Sequence, residues 1–165
     1  MRYIKEIQEF MDKGCVRISP TRIPSEGYAR LYTGISDEDC GDDESLEGHT
    51  SNGVWLTPSE REARDYGDTV YEYIIDLSEI ELATENEVVG YVNRFKETDI
   101  IDALIAPWGR EWYGSFRENT WYGGYVFKYE NGQTYVYLFD GSRANPCIVK
   151  MTDLSSGRVI IDLTE

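Results

Sequence analysis

The stretch Gly53-Val54-Trp55-Leu56-Thr57 and the run from Pro58 to Tyr66 behind it decide how this chain is expected to fold. The first stretch has the apolar character of a short strand that follows a flexible glycine. Pro58 suits the first position of a helix, because its missing N–H would have no intrahelical partner there. The Tyr-rich run from Tyr71 to Leu77 is typical of another strand. We therefore predict a strand, a turn, a short helix and a further strand.

The short helix is expected to turn Ala63 and Tyr66 to one side, since they are three residues apart. Its charged residues are expected to face mostly water; these are Glu60, Glu62, Arg64 and Asp65. Tyr66 would then face the strand that carries Trp55 and Thr57, forming a flat slot for a planar ring. Stacking on such rings adds about 0.5–1.5 kcal/mol beyond area burial. The alternative is that the same aromatic side chains fill a core.

The central block resembles that of the ADP-ribosyltransferases, the group that includes diphtheria-type toxins and poly-ADP-ribose polymerases. The matching residues are Gly53 to Thr57, Ala63 and Tyr66. Upstream, Arg30-Leu31-Tyr32-Thr33-Gly34 is similar to the family's first strand, which ends in Leu-Tyr/Trp-His/Arg-Gly. Downstream, the run from Tyr135 to Asp140 is similar to the last strand, which usually starts with the catalytic glutamate.

This resemblance implies a single α+β domain over residues 1–165, with a mixed, split β-sheet and a few flanking helices. It also implies NAD as cofactor and mono-ADP-ribosylation of a protein target. In the family, nicotinamide stacks between tyrosines and a glutamate stabilises the oxocarbenium-like state. The implied cofactor-binding residues are Tyr32, Thr33, Gly34, Gly53, Trp55, Thr57 and Tyr66.

The chain departs from the family at two polar positions. Thr33 stands where the first-strand His or Arg is expected, and Tyr135 stands where the glutamate is expected. Arg30 is the candidate for the missing cation and Glu130 for the missing carboxylate, so the candidate catalytic residues are Glu130, Arg30 and Tyr66. Two acids of the aromatic segment, Glu111 and Glu118, are weaker candidates. The alternatives are that Arg30 is an ordinary surface residue and Glu130 an ordinary acid beside a turn.

The charge of the chain points to a basic partner. There are 16 Lys and Arg against 31 Asp and Glu, a formal net charge of −15. Such a field repels phosphate backbones and argues against direct nucleic-acid binding. Besides the transferase, two hypotheses stay open: a catalytically inactive binding protein of the same fold, and an acidic inhibitor that occupies a basic nucleic-acid-binding surface, as in phage anti-defence.

The three cysteines are far apart in the sequence, at positions 15, 40 and 147, and there is one histidine. This pattern supports neither a zinc site nor a disulfide scaffold, and no metal is expected. A cytoplasmic setting is expected by default. No apolar run reaches membrane-spanning length, so no membrane association is expected.

The first half of the chain contains three further predicted segments. Residues 1–25 are expected to form an amphipathic helix over 3–13 and a connector, followed by a strand over 28–35. The acidic segment 36–49 is predicted to be a solvated loop, with binding to a basic partner as the alternative. His49 at its end is expected to be structural or exposed, with a catalytic role as the alternative.

In the second half, a helix is predicted over about 85–97, because Val88, Val92 and Phe95 repeat at helical spacing after a capping-box pattern of Thr84 and Glu87. The apolar run from Ile100 to Ala106 is predicted to be a buried strand. The segment from Pro107 to Gly124 is predicted to be an aromatic loop that either binds a ligand or folds back as a satellite core. Asn131-Gly132 predicts a β-hairpin between 125–130 and 133–139. Two closing strands are expected over 147–151 and 158–163.

Overall fold

The computed structural model describes residues 14–35, 54–139 and 148–162. Within them the strands are β1 (Tyr28–Ile35), β2 (Val54–Leu56), β3 (Thr69–Asp76), β4 (Leu82–Ala83), β5 (Gly124–Lys128), β6 (Thr134–Leu138), β7 (Ile148–Asp153) and β8 (Arg158–Asp162). The helices are α1 (Glu60–Arg64), α2 (Glu85–Val92), α3 (Ile100–Ile105) and α4 (Glu111–Asn119). The predicted N-terminal helix, the acidic loop 36–49, His49 and Gly53 lie outside the described residues.

The strands form two four-stranded sheets, in the orders β1-β3-β7-β8 and β2-β6-β5-β4. The first sheet is antiparallel throughout, whereas β4 and β5 of the second are parallel. Tyr32 of β1 and Thr57 exchange two backbone hydrogen bonds of 2.8 Å, and this bridge joins the sheets. The predicted α+β fold, with mixed pairing, a divided sheet and flanking helices, is confirmed.

Two apolar clusters stabilise this arrangement. One contains residues of both sheets, including Leu31, Leu56, Ile75, Val126 and Leu138, all buried. The other lies where the helices pack on the second sheet and is rich in aromatic rings, including Trp112, Phe116, Tyr125, Phe127 and Phe139. Burying one such side chain contributes about 1.5–3 kcal/mol, so both clusters fix the strands that carry the site.

The prediction of a buried strand over 100–106 is wrong, because this segment is helix α3. The Asp99 side chain caps the helix by accepting a hydrogen bond of 3.1 Å from the N–H of Asp102. Only Ala103 and Leu104 of the helix are buried. A short apolar run does not by itself separate strand from helix, and here the cap favours the helix.

The prediction of an irregular aromatic loop over 107–124 is also wrong, because α4 occupies its centre. Trp112 and Phe116 are four residues apart and both are buried, together with Tyr113. Their spacing is that of one helix face, and the glycines hid this period from the sequence analysis. The alternative prediction, that the aromatic side chains of this segment pack into a core, therefore describes most of it.

Smaller features agree with the sequence or shift by a few residues. Thr84 and Glu87 form the predicted capping box at the start of α2, which ends at Val92, earlier than expected. Helix α1 begins after Ser59, whose side chain accepts a hydrogen bond from the N–H of Glu62. The hairpin of β5 and β6 is present, with Gly132 at a φ of 85°.

Among the described residues, no helix has the length and apolarity needed to cross a membrane.

Candidate functional site

Aromatic rings from β2, β6 and the segment after β5 meet at one end of the second sheet. Trp55 and Tyr135 stack with a centroid distance of 5.2 Å and an angle of 7°. Tyr135 also stacks with Tyr129, at 5.2 Å and 9°. Tyr66 meets the Trp55 ring edge-on at 4.8 Å. We call these four residues the aromatic cluster; offset and edge-on contacts of this kind are the favoured geometries of ring pairs.

A hydrogen-bonded network ties the aromatic cluster to helix α1. The Tyr135 hydroxyl donates to the Glu62 carboxylate over 2.5 Å, and the Tyr66 and Tyr135 hydroxyl oxygens are also 2.5 Å apart. Since the Tyr135 proton is directed at the carboxylate, Tyr66 is the donor in the second bond. The Asn131 side-chain amide donates to the same Glu62 oxygen over 2.7 Å. Glu62 thus connects α1 to the tip of the β5–β6 hairpin.

Glu62 is the residue that the sequence analysis missed. It was expected to face mostly water, but it is partly buried and holds two donors. The available signal was its spacing of four from Tyr66 in the predicted helical run 58–66, although helix α1 itself ends at Arg64. A carboxylate beside phenol hydroxyls is a charge-assisted acceptor, which is stronger than a neutral one.

The environment of Tyr135 keeps its hydroxyl protonated. Burial is the largest cause that raises the pKa of Tyr135, and the hydrogen bonds with Glu62 and Tyr66 raise it further. The hydroxyl therefore acts as a hydrogen-bond donor at neutral pH. Tyr135 supplies no negative charge where the family resemblance leads one to expect a glutamate.

A cleft of about 490 Å³ lies beside β1, the start of α1 and the hairpin tip. Its lining includes Arg30, Tyr32, Pro58, Ser59, Gln133 and Thr134. The Arg30 Nε lies 3.4 Å from a Glu72 carboxylate oxygen, and the Arg30 side chain remains 35% exposed. Cys15 also lines the cleft, and burial raises the pKa of its thiol. The lining thus includes two arginines, Arg17 and Arg30, and one tyrosine, Tyr32.

The structure brings some of the predicted site residues together and separates others. Tyr32 lines the cleft, while Trp55 and Tyr66 belong to the aromatic cluster. Thr33 and Thr57 are buried, at 2% and 0% exposure, and neither lines the cleft.

The two other predicted site residues have local roles that the structure defines. A Cβ on Gly34 would lie 1.8 Å from the Ala63 carbonyl oxygen, so this glycine permits close packing of β1 against α1. Glu130 is exposed on the hairpin turn, beside the Tyr129 hydroxyl. In the described part of the chain, no group of three His, Cys, Asp or Glu side chains is arranged to hold a metal ion.

No family model and no curated protein matches this chain. Among solved structures, the chain is similar to one described as the crystal structure of an anti-CRISPR protein. The match has 15% sequence identity and a TM-score of 0.36, and covers 69% of this chain and 91% of that chain. Similarity at this level does not define a shared fold or function.

Proposed function

We propose that this protein is an NAD-dependent mono-ADP-ribosyltransferase that acts on a protein target. The observation that carries the proposal is the convergence of the segments that resemble the family. Tyr32 of the first segment bridges to Thr57 of the second. Trp55 of the second stacks on Tyr135 of the third, and Tyr66 contacts both rings. Segments that are far apart in the sequence therefore form one site beside a cleft.

NAD would bind in the cleft lined by Arg30 and Tyr32. Its volume of about 490 Å³ lies within the range of about 300–1,000 Å³ that small-molecule sites occupy. Arg30 would face the pyrophosphate, because a guanidinium recognises phosphate oxygens through paired N–H donors. Its Nε lies 3.4 Å from the Glu72 carboxylate. Tyr66, which is 38% exposed, would contact the nicotinamide ring.

Glu130 would be the carboxylate that stabilises positive charge as nicotinamide leaves. A preorganised anion near a developing cation is the largest catalytic contribution that such a site can make. Glu130 is exposed on the turn whose next residues, Gly132 and Gln133, line the cleft. Glu62 already accepts two hydrogen bonds, so it would position the hairpin tip and not face the reacting bond.

The test is transfer of label from NAD to protein in a cell lysate. The proposal predicts transfer by the wild-type protein, loss of transfer in Glu130→Gln, and retention in the matched exposed-acid control Glu26→Gln. Circular dichroism checks that each variant is folded. Absence of transfer by the wild-type protein, or equal transfer by Glu130→Gln, would contradict the proposed activity.

A second candidate is a binding protein without catalytic activity, such as an acidic inhibitor that occupies a basic nucleic-acid-binding surface. Two observations favour it. Arg30 is already paired with Glu72, and the ring of Tyr135 itself stacks on Trp55, where a ligand ring was expected. The net charge of −15 suits a basic partner for the transferase and for the inhibitor alike. This candidate predicts neither label transfer nor NAD binding.

A further inference from the structure

A second groove, of about 610 Å³, shares no lining residue with the cleft. It is bounded by residues 23–25, by the segment from Leu77 to Leu82 between β3 and β4, by the start of α2, and by Trp121. Its floor is apolar, because Leu77, Ile80 and Leu82 are buried against the first core cluster. The groove therefore combines a fixed apolar floor with an indole at its edge.

Trp121 is 88% exposed. Within residues 14–35, 54–139 and 148–162, its ring makes no hydrogen bond and no aromatic contact. The residues that follow it are fixed: the Tyr122 ring stacks on Phe116 at 5.7 Å, and the N–H of Gly123 donates to the Glu81 carbonyl over 2.7 Å. Tryptophan is enriched among the residues that carry binding energy at protein interfaces, so an exposed indole beside a groove with an anchored backbone suits a binding surface.

The groove is also acidic. Glu79, Glu81 and Glu87 line it and are exposed, and none of its lining residues is basic. The Tyr122 hydroxyl donates to the Glu87 carboxylate, and this bond is the largest cause that lowers the pKa of Glu87. Glu87 is therefore ionised at neutral pH, and a lining that contains three glutamates and no basic residue disfavours phosphate and favours a cation.

We infer that the Trp121 groove binds an extended, arginine-bearing segment of a partner protein. An arginine side chain stacks on an indole through cation–π attraction and also donates paired hydrogen bonds to carboxylates. Lysine offers a more strongly hydrated point charge and no planar face. The apolar floor would receive the aliphatic part of the arginine side chain. This inference does not depend on NAD or on the cleft.

The direct test is fluorescence anisotropy with a labelled peptide of alternating arginine and glycine. The inference predicts saturable binding by the full chain and a loss of about tenfold in affinity for Trp121→Ala, which lies between the contributions of an exposed and a desolvated cation–π contact. Trp108→Ala is the matched control, since Trp108 is also exposed but lies outside the groove, and it should bind as wild type. The same peptide with lysine in place of arginine should bind more weakly.

Charge variants separate a local site from general attraction to an acidic protein. Glu79→Gln/Glu81→Gln should weaken peptide binding severalfold more than Asp65→Asn/Glu118→Gln, which removes the same charge elsewhere. Equal losses for both pairs would overturn the inference. It would likewise be overturned by unchanged binding in Trp121→Ala, or by tighter binding of a single-stranded oligonucleotide than of the arginine peptide.

Discussion

The Tyr135 hydroxyl donates a hydrogen bond to the Glu62 carboxylate over 2.5 Å, which links β6 to α1 across 73 residues of sequence. Tyr135→Phe would keep the ring stack but leave Glu62 and Tyr66 without this partner. We expect the free energy of unfolding to fall by about 1–3 kcal/mol, measured by urea denaturation. Tyr129→Phe removes a hydroxyl that lies near the exposed turn. This variant should change the free energy of unfolding by less than about 0.5 kcal/mol. Equal stability of Tyr135→Phe and wild type would show that the network contributes nothing.

Gly34 and Gly90 provide a matched pair of glycine substitutions. A Cβ at Gly34 would meet the Ala63 carbonyl oxygen at 1.8 Å, whereas a Cβ at Gly90 in α2 meets nothing within 4 Å. Gly34→Ala should therefore destabilise the protein by more than about 3 kcal/mol, the upper end for an overpacked core. Gly90→Ala should stabilise it by about 0.5–1 kcal/mol, because alanine restricts the unfolded chain and favours helix. Thermal unfolding measures both effects. A Gly34→Ala protein more stable than Gly90→Ala would contradict this packing.

The capping box of α2 can be tested at its first residue. The Thr84 side chain accepts a hydrogen bond from the N–H of Glu87, and the Glu87 carboxylate accepts one from the N–H of Thr84. Thr84→Ala should lower the free energy of unfolding by about 1 kcal/mol. Asn86→Ala changes an exposed residue in the same turn and should have little effect. Similar losses in both variants would mean that the cap makes no specific contribution.

The raised pKa values of Tyr122 and Tyr135 predict a loss of stability at high pH. The hydrogen bond with Glu87 is the largest cause that raises the pKa of Tyr122, from an ordinary 10.0 to about 12 in the folded state. Above pH 10.0 the unfolded chain releases this proton while the folded protein retains it, so the free energy of unfolding falls as pH rises towards about 12.

Thermal unfolding across this alkaline range measures the effect. Tyr135 adds to the slope because its pKa is also raised, chiefly by burial. Tyr122→Phe should give a shallower decline than wild type. An identical decline in the variant would contradict the Tyr122–Glu87 bond.

Local sequence patterns predicted the elements whose stabilising contacts are local. The capping box of Thr84 and Glu87 lies within one helical turn, and Gly132 supplies the positive φ of the hairpin turn that Asn131-Gly132 predicted. Strand β1 was predicted with its observed bounds. The error at residues 100–106 has a physical cause, since a mainly apolar run of seven residues fits a strand and a helix equally well until the cap is considered.

The candidate site depended on contacts that a local pattern does not reveal. The Glu62 side chain was predicted to face water because it is charged and lies on a short helix. Its hydrogen-bond partners, Asn131 and Tyr135, come from a hairpin that is distant in the sequence. The Tyr135 ring was expected at a catalytic position, and only the pairing of β2 with β6 brings it onto Trp55. Such placements follow from sheet register, which the sequence does not specify by itself.

Calorimetric titration of NAD into the full chain tests the central claim most directly, with Gln133→Trp as the comparison. Gln133 is exposed and lines the cleft, so a tryptophan there would fill the space without disturbing the core. The account predicts saturable binding of one NAD per wild-type chain and its loss in the folded Gln133→Trp protein. No heat of binding with the wild-type chain, or equal binding by the filled variant, would contradict it.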